Sequence, residues 1–270
     1  MSQVKRSKFD IRDYKIKVGS VEFPETFELQ KIPVKNQGLS PTCTAHAAAS
    51  LVERHNLKET GKYELFSTEF IYGAQLNTLT EGMSIREACV ILKDYGDPKY
   101  EDCPGNNKIN KASKNVKDNF DELCKAAYPY RIKGYYRVKT PKEIKTALMT
   151  DGPVIFYFET KKYATTLSGV YTYDPNAKSN GLHAMLIVGW DEIGWICQNS
   201  WGVTCGKGGY FTLPYDYEIR DAFGCIDMEN DMSNYIVKKK TKIRTFFYKA
   251  INWFMNLVYN VIYNEEDEDA

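Results

Sequence analysis

The chain has 270 residues, of which 43% are hydrophobic and 26% are charged, and its formal net charge is +1. This length and composition exclude a disordered or fibrous protein and suffice for one substantial hydrophobic core. Because no basic face is concentrated in the globular part, nucleic acid is not an expected partner.

The first half of the chain is predicted to be mainly helical. The spacing of apolar residues predicts three helices there, namely Cys43–Asn56, which Thr60-Gly61 ends, Phe66–Leu76 and Ser84–Tyr95. The lysine- and asparagine-rich span Lys99–Lys117 is predicted to be a surface loop or an insertion.

The second half is predicted to be rich in strands. A capping box at Thr140–Glu143, with proline at the first helical position, starts a helix that ends near Met149. Alternating apolar residues then predict five strands, at Pro153–Glu159, Gly169–Tyr173, His183–Trp190, Trp195–Asn199 and Tyr210–Leu213. The segment Gly202–Gly209 lacks the Gly-Lys-Ser/Thr ending of a phosphate-binding loop, so we interpret it as the turn between two strands.

The C-terminal segment has a different character. Lys238–Lys240 precede an aromatic and apolar stretch, Phe246–Tyr263, and acidic residues close the chain. On a helix, four polar residues of this stretch fall within an arc of about 80° and leave the rest apolar. These four are Lys249, Asn252, Asn256 and Asn260. Residues 243–264 are therefore expected either to span or lie on a membrane, or to dock against the chain's own domain or another protein.

Four residues form a pattern with a clear chemical meaning. An imidazole such as His183 can accept the proton of Cys43 and give a thiolate, which is a far better nucleophile than a thiol. The amide oxygen of Asn199 can hold that imidazole in one tautomer. Gln37, six residues before Cys43, can donate an N–H to the oxyanion that forms when the thiolate attacks a peptide carbonyl.

The segments around these residues resemble the papain-like C1 family of cysteine peptidases. The matching segments are Val34–Gly38, Leu182–Trp190, Gln198–Gly202 and Gly209–Phe211, within a stretch from about Phe23 to about Ile226. The Cys43-Thr44-Ala45 variant, with Ile11–Tyr14 upstream, is more similar to compact bacterial and viral members than to secreted ones.

The resemblance implies an α+β, two-lobed fold, in which a helical lobe carrying Cys43 faces a β-rich lobe carrying His183 and Asn199 across a cleft. It implies thiol-dependent hydrolysis of polypeptides without a cofactor. An endopeptidase is favoured, because the histidine pair of the family's exopeptidases is missing. Gly82 and Trp201 are expected to contact the substrate.

The chain also departs from the family pattern. Ser40-Pro41-Thr42 replaces the usual residues before the nucleophile, and Cys205 stands where the family commonly has a second tryptophan, which leaves Trp201 to shield the histidine–asparagine pair. His46, near the nucleophile, is expected to be a packed structural histidine, and His55 a surface residue of the same helix.

The cysteines bear on the compartment and on metals. Ser40 stands where the family places one disulfide partner, and the usual partner of Cys225 has no equivalent. Together with an odd count of seven cysteines and no glycosylation sequon, this favours a reducing, intracellular compartment or a virion over classical secretion. No Cys-x-x-Cys pair occurs and only three histidines are present, so no metal site is expected.

Three regions are predicted along the chain: an N-terminal extension at 1–20, a peptidase domain at 21–235 and a C-terminal segment at 236–270. Within the peptidase domain the helical lobe is expected at about 36–130 and the β-rich lobe at about 131–235. The long prosegment of secreted relatives is not expected, and residues 1–20 are hypothesised to lie across the cleft. Two other functions stay open, a catalytically silent peptide-binding module and an acyl transferase that uses the same thiolate.

Overall fold

A computed structural model describes Ile16 and residues 22–75, 82–105 and 109–228, with only the backbone described at 109–113. The chain divides into two compact units, Met1–Tyr235 and Ile236–Ala270. The predicted helix at 243–264 and nearly all of the extension at 1–20 lie outside the described residues. Within the described ranges, no helix is both long enough and apolar enough to cross a lipid bilayer.

Helices dominate the first part of the described chain and strands the second, which confirms the predicted α+β class. The helices are α1 (Cys43–Thr60), α2 (Thr68–Gly73), α3 (Ile85–Asp94), α4 (Ile109–Asp118), α5 (Phe120–Ala127) and α6 (Pro141–Thr150). The strands are β1 (Phe27–Glu28), β2 (Ile132–Arg137), β3 (Val154–Lys161), β4 (Ser179–Trp190), β5 (Gly194–Gln198), β6 (Tyr210–Pro214) and β7 (Asp221–Asp227).

The seven strands form one antiparallel sheet, in which six follow the order β2-β7-β3-β4-β5-β6. Strand β3 pairs with β4 as far as Ile187, and β1 pairs with the two residues Gly189 and Trp190 beyond it. A side chain at position 189 would collide with the Phe27 carbonyl, because an added Cβ would lie 2.2 Å from that oxygen. The glycine thus permits the N-terminal strand to join the sheet.

The central strands are buried on both faces. Along β4, Leu186 and Val188 belong to a cluster with α1, α2 and α3, whereas Met185 and Ile187 belong to a second cluster with α6. Successive residues of a strand point to opposite faces, so one strand supplies both clusters. This explains why β3 and β4 read as continuous apolar runs.

Helix α1 forms as predicted. Its residues 43–56 are all buried, and the run of alanines lets the helix pack closely against its neighbours. The helix ends at Gly61, which adopts a left-handed conformation with φ of 70° and donates its N–H to the Leu57 carbonyl. A glycine accepts this conformation without steric cost, so the predicted end at Thr60-Gly61 is confirmed.

The loop predicted at Lys99–Lys117 is wrong in its second half, because residues 109–118 form α4. The polar composition concealed one buried anchor, Val116, which is fully buried. Val116 packs on Gly73 of α2, where an added Cβ would lie only 2.7 Å from the valine. The close approach of two helices, which depends on a glycine far away in sequence, stabilises α4.

The strand predictions were correct for four segments and wrong for one. Residues 169–173 form only isolated bridges, at Val170 with Thr212 and at Thr172 with Thr165. Strands β1, β2 and β7 were missed. In β7 the interior Gly224 weakened the strand signal, but an added Cβ there would meet the Tyr136 ring of β2 at 2.5 Å, so the glycine is needed for pairing.

The prediction that His55 lies on the surface is wrong. The side chain is only 4% exposed, since α1 is covered on this side by the end of α6 and by β7. Its Nε2 lies 3.1 Å from the Asp151 carbonyl oxygen and its Nδ1 lies 3.2 Å from Asp227 Oδ1. His55 therefore joins α1 to the sheet.

Candidate active site

The loop before α1 is fixed by the side chain and backbone of Gln37. Gln37 is buried, its Nε2 donates to the Ser40 carbonyl at 2.9 Å, and its Oε1 accepts from the Ser200 hydroxyl at 2.5 Å. Its backbone N–H also donates to the Ser200 carbonyl at 2.9 Å. One amide N–H of Gln37 is thus used within the loop, and the side-chain amide carries a second N–H.

Cys43 is the first residue of α1 and is 1% exposed. The first N–H groups of a helix have no partner within it and carry the positive end of the helix dipole. A thiolate at this position is stabilised, which is the environment that makes a cysteine nucleophilic. No acidic residue in the first turn opposes this effect.

His183, on β4, is held from two sides. Its Nε2 donates to Asn199 Oδ1 at 2.8 Å, and the indole of Trp201 stacks on the imidazole with a centroid distance of 4.4 Å. Both His183 and Asn199 are buried, so their hydrogen bond is shielded from water. The other ring nitrogen, Nδ1, is the atom left to exchange a proton with a thiol.

The end of α1 that carries Cys43 lies against the part of the sheet that carries His183 and Asn199. A small cavity lies between α1 and the sheet, and Ala47 and Ser50 of α1 form one wall of it. The other wall consists of residues that follow His183 on β4 and of residues at the end of β5, namely Ala184, Met185, Leu186, Gln198, Asn199 and Ser200. The structure therefore brings Gln37, His183, Asn199 and Trp201 together at the N-terminal end of the Cys43 helix.

Ser200 is a contributor that the sequence analysis did not single out. Its hydroxyl donates to Gln37, and its backbone N–H donates to Asn199 Oδ1 at 2.8 Å. One residue thus connects the predicted oxyanion donor with the predicted orienting amide. Its place beside Asn199 in the conspicuous Asn-Ser-Trp-Gly segment was the available signal.

Cys205 contacts the same amide. Asn199 Nδ2 donates to Cys205 Sγ at 3.2 Å, and Cys205 Sγ lies 3.3 Å from the Thr166 hydroxyl. The sequence marks Cys205 only as a departure from the tryptophan that related chains carry. In the structure, a hydrogen-bonding thiol occupies that place.

The residue after Gly82 is hydrogen-bonded to the first turn of α1. Gly82 is buried, and the next residue, Met83, accepts a hydrogen bond on its carbonyl from the Thr44 hydroxyl at 2.9 Å. Thr44 follows Cys43 in α1, so the backbone around Gly82 is tied to the first turn of the helix.

His46 is buried one turn after Cys43, and its Nδ1 donates to the Thr42 carbonyl at 3.0 Å. Burial lowers the pKa of His46 to about 4, and the positive charges of Lys35 and His183 act in the same direction on that pKa. The side chain is neutral at physiological pH and already bonded to backbone, as expected for a structural histidine.

Metal ligands are not assembled at the site. Across the described ranges, no group of three or more histidine, cysteine, aspartate or glutamate side chains is arranged to hold an ion. All seven cysteines lie in these ranges as thiols. The arrangement can supply a nucleophile, a base, an orienting amide and an oxyanion donor.

Comparisons with known proteins agree with this geometry. The chain is 28% identical over 218 residues to a cathepsin L-like peptidase of Aedes aegypti, covering 73% of this chain and 61% of the relative. It is 27% identical to a viral cathepsin of Adoxophyes honmai nucleopolyhedrovirus, covering 71% of this chain and 57% of the relative. The chain thus spans less than two thirds of the length of these curated relatives.

Solved structures share the fold. Xylellain, a cysteine protease from Xylella fastidiosa, superposes with a TM-score of 0.74 at 23% identity, over 84% of this chain and 96% of that one. The model of the papain family cysteine proteases matches residues 23–234, which include Gln37, Cys43, His183 and Asn199. The chain belongs to the papain family of cysteine proteases.

Proposed function

We propose that this protein hydrolyses peptide bonds as a thiol-dependent endopeptidase. The observation that carries the proposal is the buried His183–Asn199 pair, linked through Ser200 to Gln37, at the N-terminal end of the helix that begins with Cys43. This arrangement supports Cys43 as nucleophile, His183 as base, Asn199 as orienting amide and Gln37 as oxyanion donor.

The reaction follows from these positions. His183 Nδ1 takes the proton of Cys43, and the thiolate attacks the scissile carbonyl. The backbone N–H of Cys43 and the second amide proton of Gln37 donate to the oxyanion. His183 then gives its proton to the leaving amine, which produces an acyl-enzyme, and water activated by the same imidazole hydrolyses the thioester.

A polypeptide is the substrate class that membership of the papain family supports. Trp201 is 38% exposed although one face of its ring covers His183, so an edge is accessible to a bound chain. Gly82, beside the first turn of α1, can offer backbone groups to an extended peptide. We assign both residues to substrate contact.

The nucleophile is tested by substitution. Cys43→Ala removes the only group assigned to form the acyl-enzyme, so turnover of a peptide library should vanish, whereas Cys124→Ala on α5 should retain it. Stoichiometric alkylation of Cys43 by an epoxide or iodoacetamide probe should accompany inactivation. Turnover at the wild-type rate in Cys43→Ala would refute the assignment.

The oxyanion donor makes a graded prediction. Gln37→Ala removes one donor from the developing negative charge, so kcat should fall by about 10²- to 10³-fold. The Ser200 hydroxyl loses its acceptor in this variant, and a thermal melt should accompany the assay to confirm folding. An unchanged kcat in a folded variant would exclude Gln37 from this role.

Two other reactions are separated by their products. A catalytically silent module would bind peptide, but its Cys43 would be alkylated no faster than an ordinary thiol. An acyl transferase would pass the acyl group to an added amine in preference to water. Product analysis with and without an amine acceptor distinguishes both from hydrolysis.

We extend the proposal to organisation and location. Residues 21–235 are assigned to the peptidase domain, with residues 1–20 as an extension across the cleft and residues 243–264 as a helix that binds a membrane or docks on protein. An intracellular, reducing compartment or a virion is the proposed location. Deleting residues 240–270 and fractionating cells tests the helix, since an unchanged membrane fraction would exclude anchoring. We also propose that residues 1–20 restrain activity, and turnover equal to that of the full chain in a chain starting at Val21 would exclude this inhibition.

A further inference from the structure

The side-chain amide of Asn199 makes three hydrogen bonds with distinct directions. Its Oδ1 accepts from His183 Nε2 and from the backbone N–H of Ser200, both at 2.8 Å. Its Nδ2 donates to Cys205 Sγ at 3.2 Å. A half-turn of the amide would exchange oxygen and nitrogen, so two donors would face each other at His183, and Cys205 would face an oxygen.

The Cys205 sulfur accepts from Asn199 Nδ2, and its S–H can at the same time be directed to Thr166. Thr166 Oγ1 lies 3.3 Å from the sulfur and can accept the S–H, which leaves a sulfur lone pair directed to Asn199. Thr166 lies in the connection after β3, so a second loop supports the sulfur. With Thr166 as the acceptor, Cys205 uses both its donor and its acceptor capacity.

The backbone holds the sulfur at a fixed place. The Cys205 carbonyl accepts from the N–H of Gly209 at 2.8 Å, and the Gly209 carbonyl accepts from the N–H of Asn199 at 3.0 Å. Gly206 has φ of 59°, and an added Cβ there would lie 2.2 Å from the Tyr210 carbonyl oxygen. The loop is therefore anchored to the same residue whose side chain its thiol contacts.

We propose that Cys205 is a positioning residue, whose thiol holds the Asn199 amide in the orientation that presents Oδ1 to His183. The inference rests on the proposed peptidase function and deepens it. It assigns a hydrogen-bonding role to Cys205, which the sequence marks only as the replacement of a shielding tryptophan. Asn199 is oriented by Ser200 on the oxygen side and by Cys205 on the nitrogen side.

The effect on chemistry runs through the imidazolium. An amide oxygen aimed at Nε2 stabilises the protonated ring, whereas a flipped or mobile amide does not. Without the thiol, the thiolate–imidazolium pair should be less stable, and the alkaline limb of the activity profile should move to lower pH. The titratable groups from the elements around this ring include Cys43 and His46 on α1 and Cys205 itself; His46, with a pKa of about 4, does not titrate in this range.

Three variants test the proposal. Cys205→Ala removes the acceptor, Cys205→Ser restores an acceptor and donor of similar size, and Cys124→Ala removes a thiol from α5 as the matched control. For Cys205→Ala we expect kcat/KM to fall about five- to tenfold, which corresponds to one ordinary hydrogen bond, with the loss mainly in kcat. Cys205→Ser should recover to within about twofold of wild type, because its hydroxyl both donates and accepts.

A second readout does not need peptide cleavage. The rate of Cys43 alkylation by iodoacetamide, followed across pH by the mass of the Cys43 peptide, reports the thiolate–imidazolium pair directly. In Cys205→Ala the less stable thiolate–imidazolium pair should make alkylation near neutral pH slower than in wild type, and the profile should rise only at higher pH. Cys205→Ser and Cys124→Ala should match wild type.

The outcomes separate the two proposals. If Cys205→Ala keeps the wild-type kcat/KM and alkylation profile, the positioning role is wrong. If Cys205→Ala loses rate but the pH profiles of activity and of alkylation do not change, or if Cys205→Ser does not recover the rate, the effect comes from packing. Either result would also overturn the positioning role. If wild type alkylates at Cys43 but cleaves no peptide, the peptidase function fails, while the alkylation profiles still decide the role of Cys205.

Discussion

Single side chains near Cys43 make the stability of the chain depend on pH, and buried His46 is the clearest case. Burial lowers its pKa from 6.5 to about 4, and the charges on Lys35 and His183 act in the same direction. The unfolded chain binds the His46 proton below about pH 6.5, whereas the folded chain binds it only near pH 4. Stability from this group is therefore present above pH 6.5 and is lost as the pH falls from 6.5 to 4.

His46→Gln should remove this dependence. Between pH 7 and pH 4.5 the free energy of unfolding of the wild-type chain should fall by about 2 to 3 kcal/mol through His46 alone. Urea denaturation at both pH values, in a Cys43→Ala background that prevents self-digestion, measures the difference. Burial raises the pKa of Asp97, so the contribution of Asp97 to stability changes with pH in the opposite direction. That contribution is the same with and without the His46→Gln substitution. An equal fall in both would contradict the assignment.

At this scale the sequence predicted which residue types lie together, but not the orientation of their side chains. Four residues can be recognised from the sequence, because their types and order have few explanations simpler than a shared site. They are Gln37, Cys43, His183 and Asn199. The bonds from Ser200 and Cys205 to Asn199 depend on where two loops meet, which one chain read alone does not fix. The burial of His55 was missed for the same reason, since its cover comes from α6 and β7.

Elements are joined across the molecule by a buried arginine. The guanidinium of Arg54, on α1, donates through Nε and Nη2 to Gln198 Oε1 at 2.9 and 2.7 Å, and through Nη1 to the Gln30 carbonyl at 2.7 Å. Its Nη2 also lies 3.2 Å from the hydroxyl of Tyr210. One side chain thus ties α1 to β5, to β6 and to the N-terminal segment, next to Asn199.

Arg54→Met should destabilise the fold by about 3 to 5 kcal/mol, because it leaves buried polar groups without their donor. Arg220→Met, which breaks a partly exposed pair with Glu218, should cost at most about 1 kcal/mol. Urea denaturation of both variants gives the comparison. An equally small loss of stability in both variants would show that the hydrogen bonds of Arg54 contribute little.

Local signals decide which elements the sequence reveals. The capping box at Thr140 predicted the start of α6 correctly, because both of its hydrogen bonds are formed within four residues. Helix α4 and strand β7 were missed, because each depends on a glycine that admits a distant partner, Gly73 for Val116 and Gly224 for Tyr136. Elements defined by their own caps are predictable, and elements defined by a neighbour are not.

The two hydrophobic clusters raise the question of whether the described domain unfolds as one body. The first cluster combines residues of α1, α2 and α3 with residues of β3, β4 and β7, and the second uses the alternate residues of the same strands. Neither cluster can lose its strands without exposing the other. The architecture therefore predicts one cooperative transition for helices and sheet.

Three buried thiols can report this transition. Cys103 lies among the helices, Cys225 on β7 belongs to the same cluster, and Cys197 on β5 belongs to the second cluster. Burial raises the pKa of Cys103 to about 11 and raises that of Cys197, while the contact with Cys89 and burial raise that of Cys225. In the native protein these thiols should not react with iodoacetamide at pH 7.

In increasing urea, alkylation of Cys103, Cys197 and Cys225, each followed by the mass of its peptide in a Cys43→Ala chain, should appear at one midpoint. The reason is that β3 and β4 supply both clusters, so opening either one exposes the other. Cys205, which is partly exposed, should react before the transition and serves as the internal control. Separate midpoints for Cys103 and Cys197 would show that helices and sheet unfold independently, and the shared strands would then not enforce cooperativity.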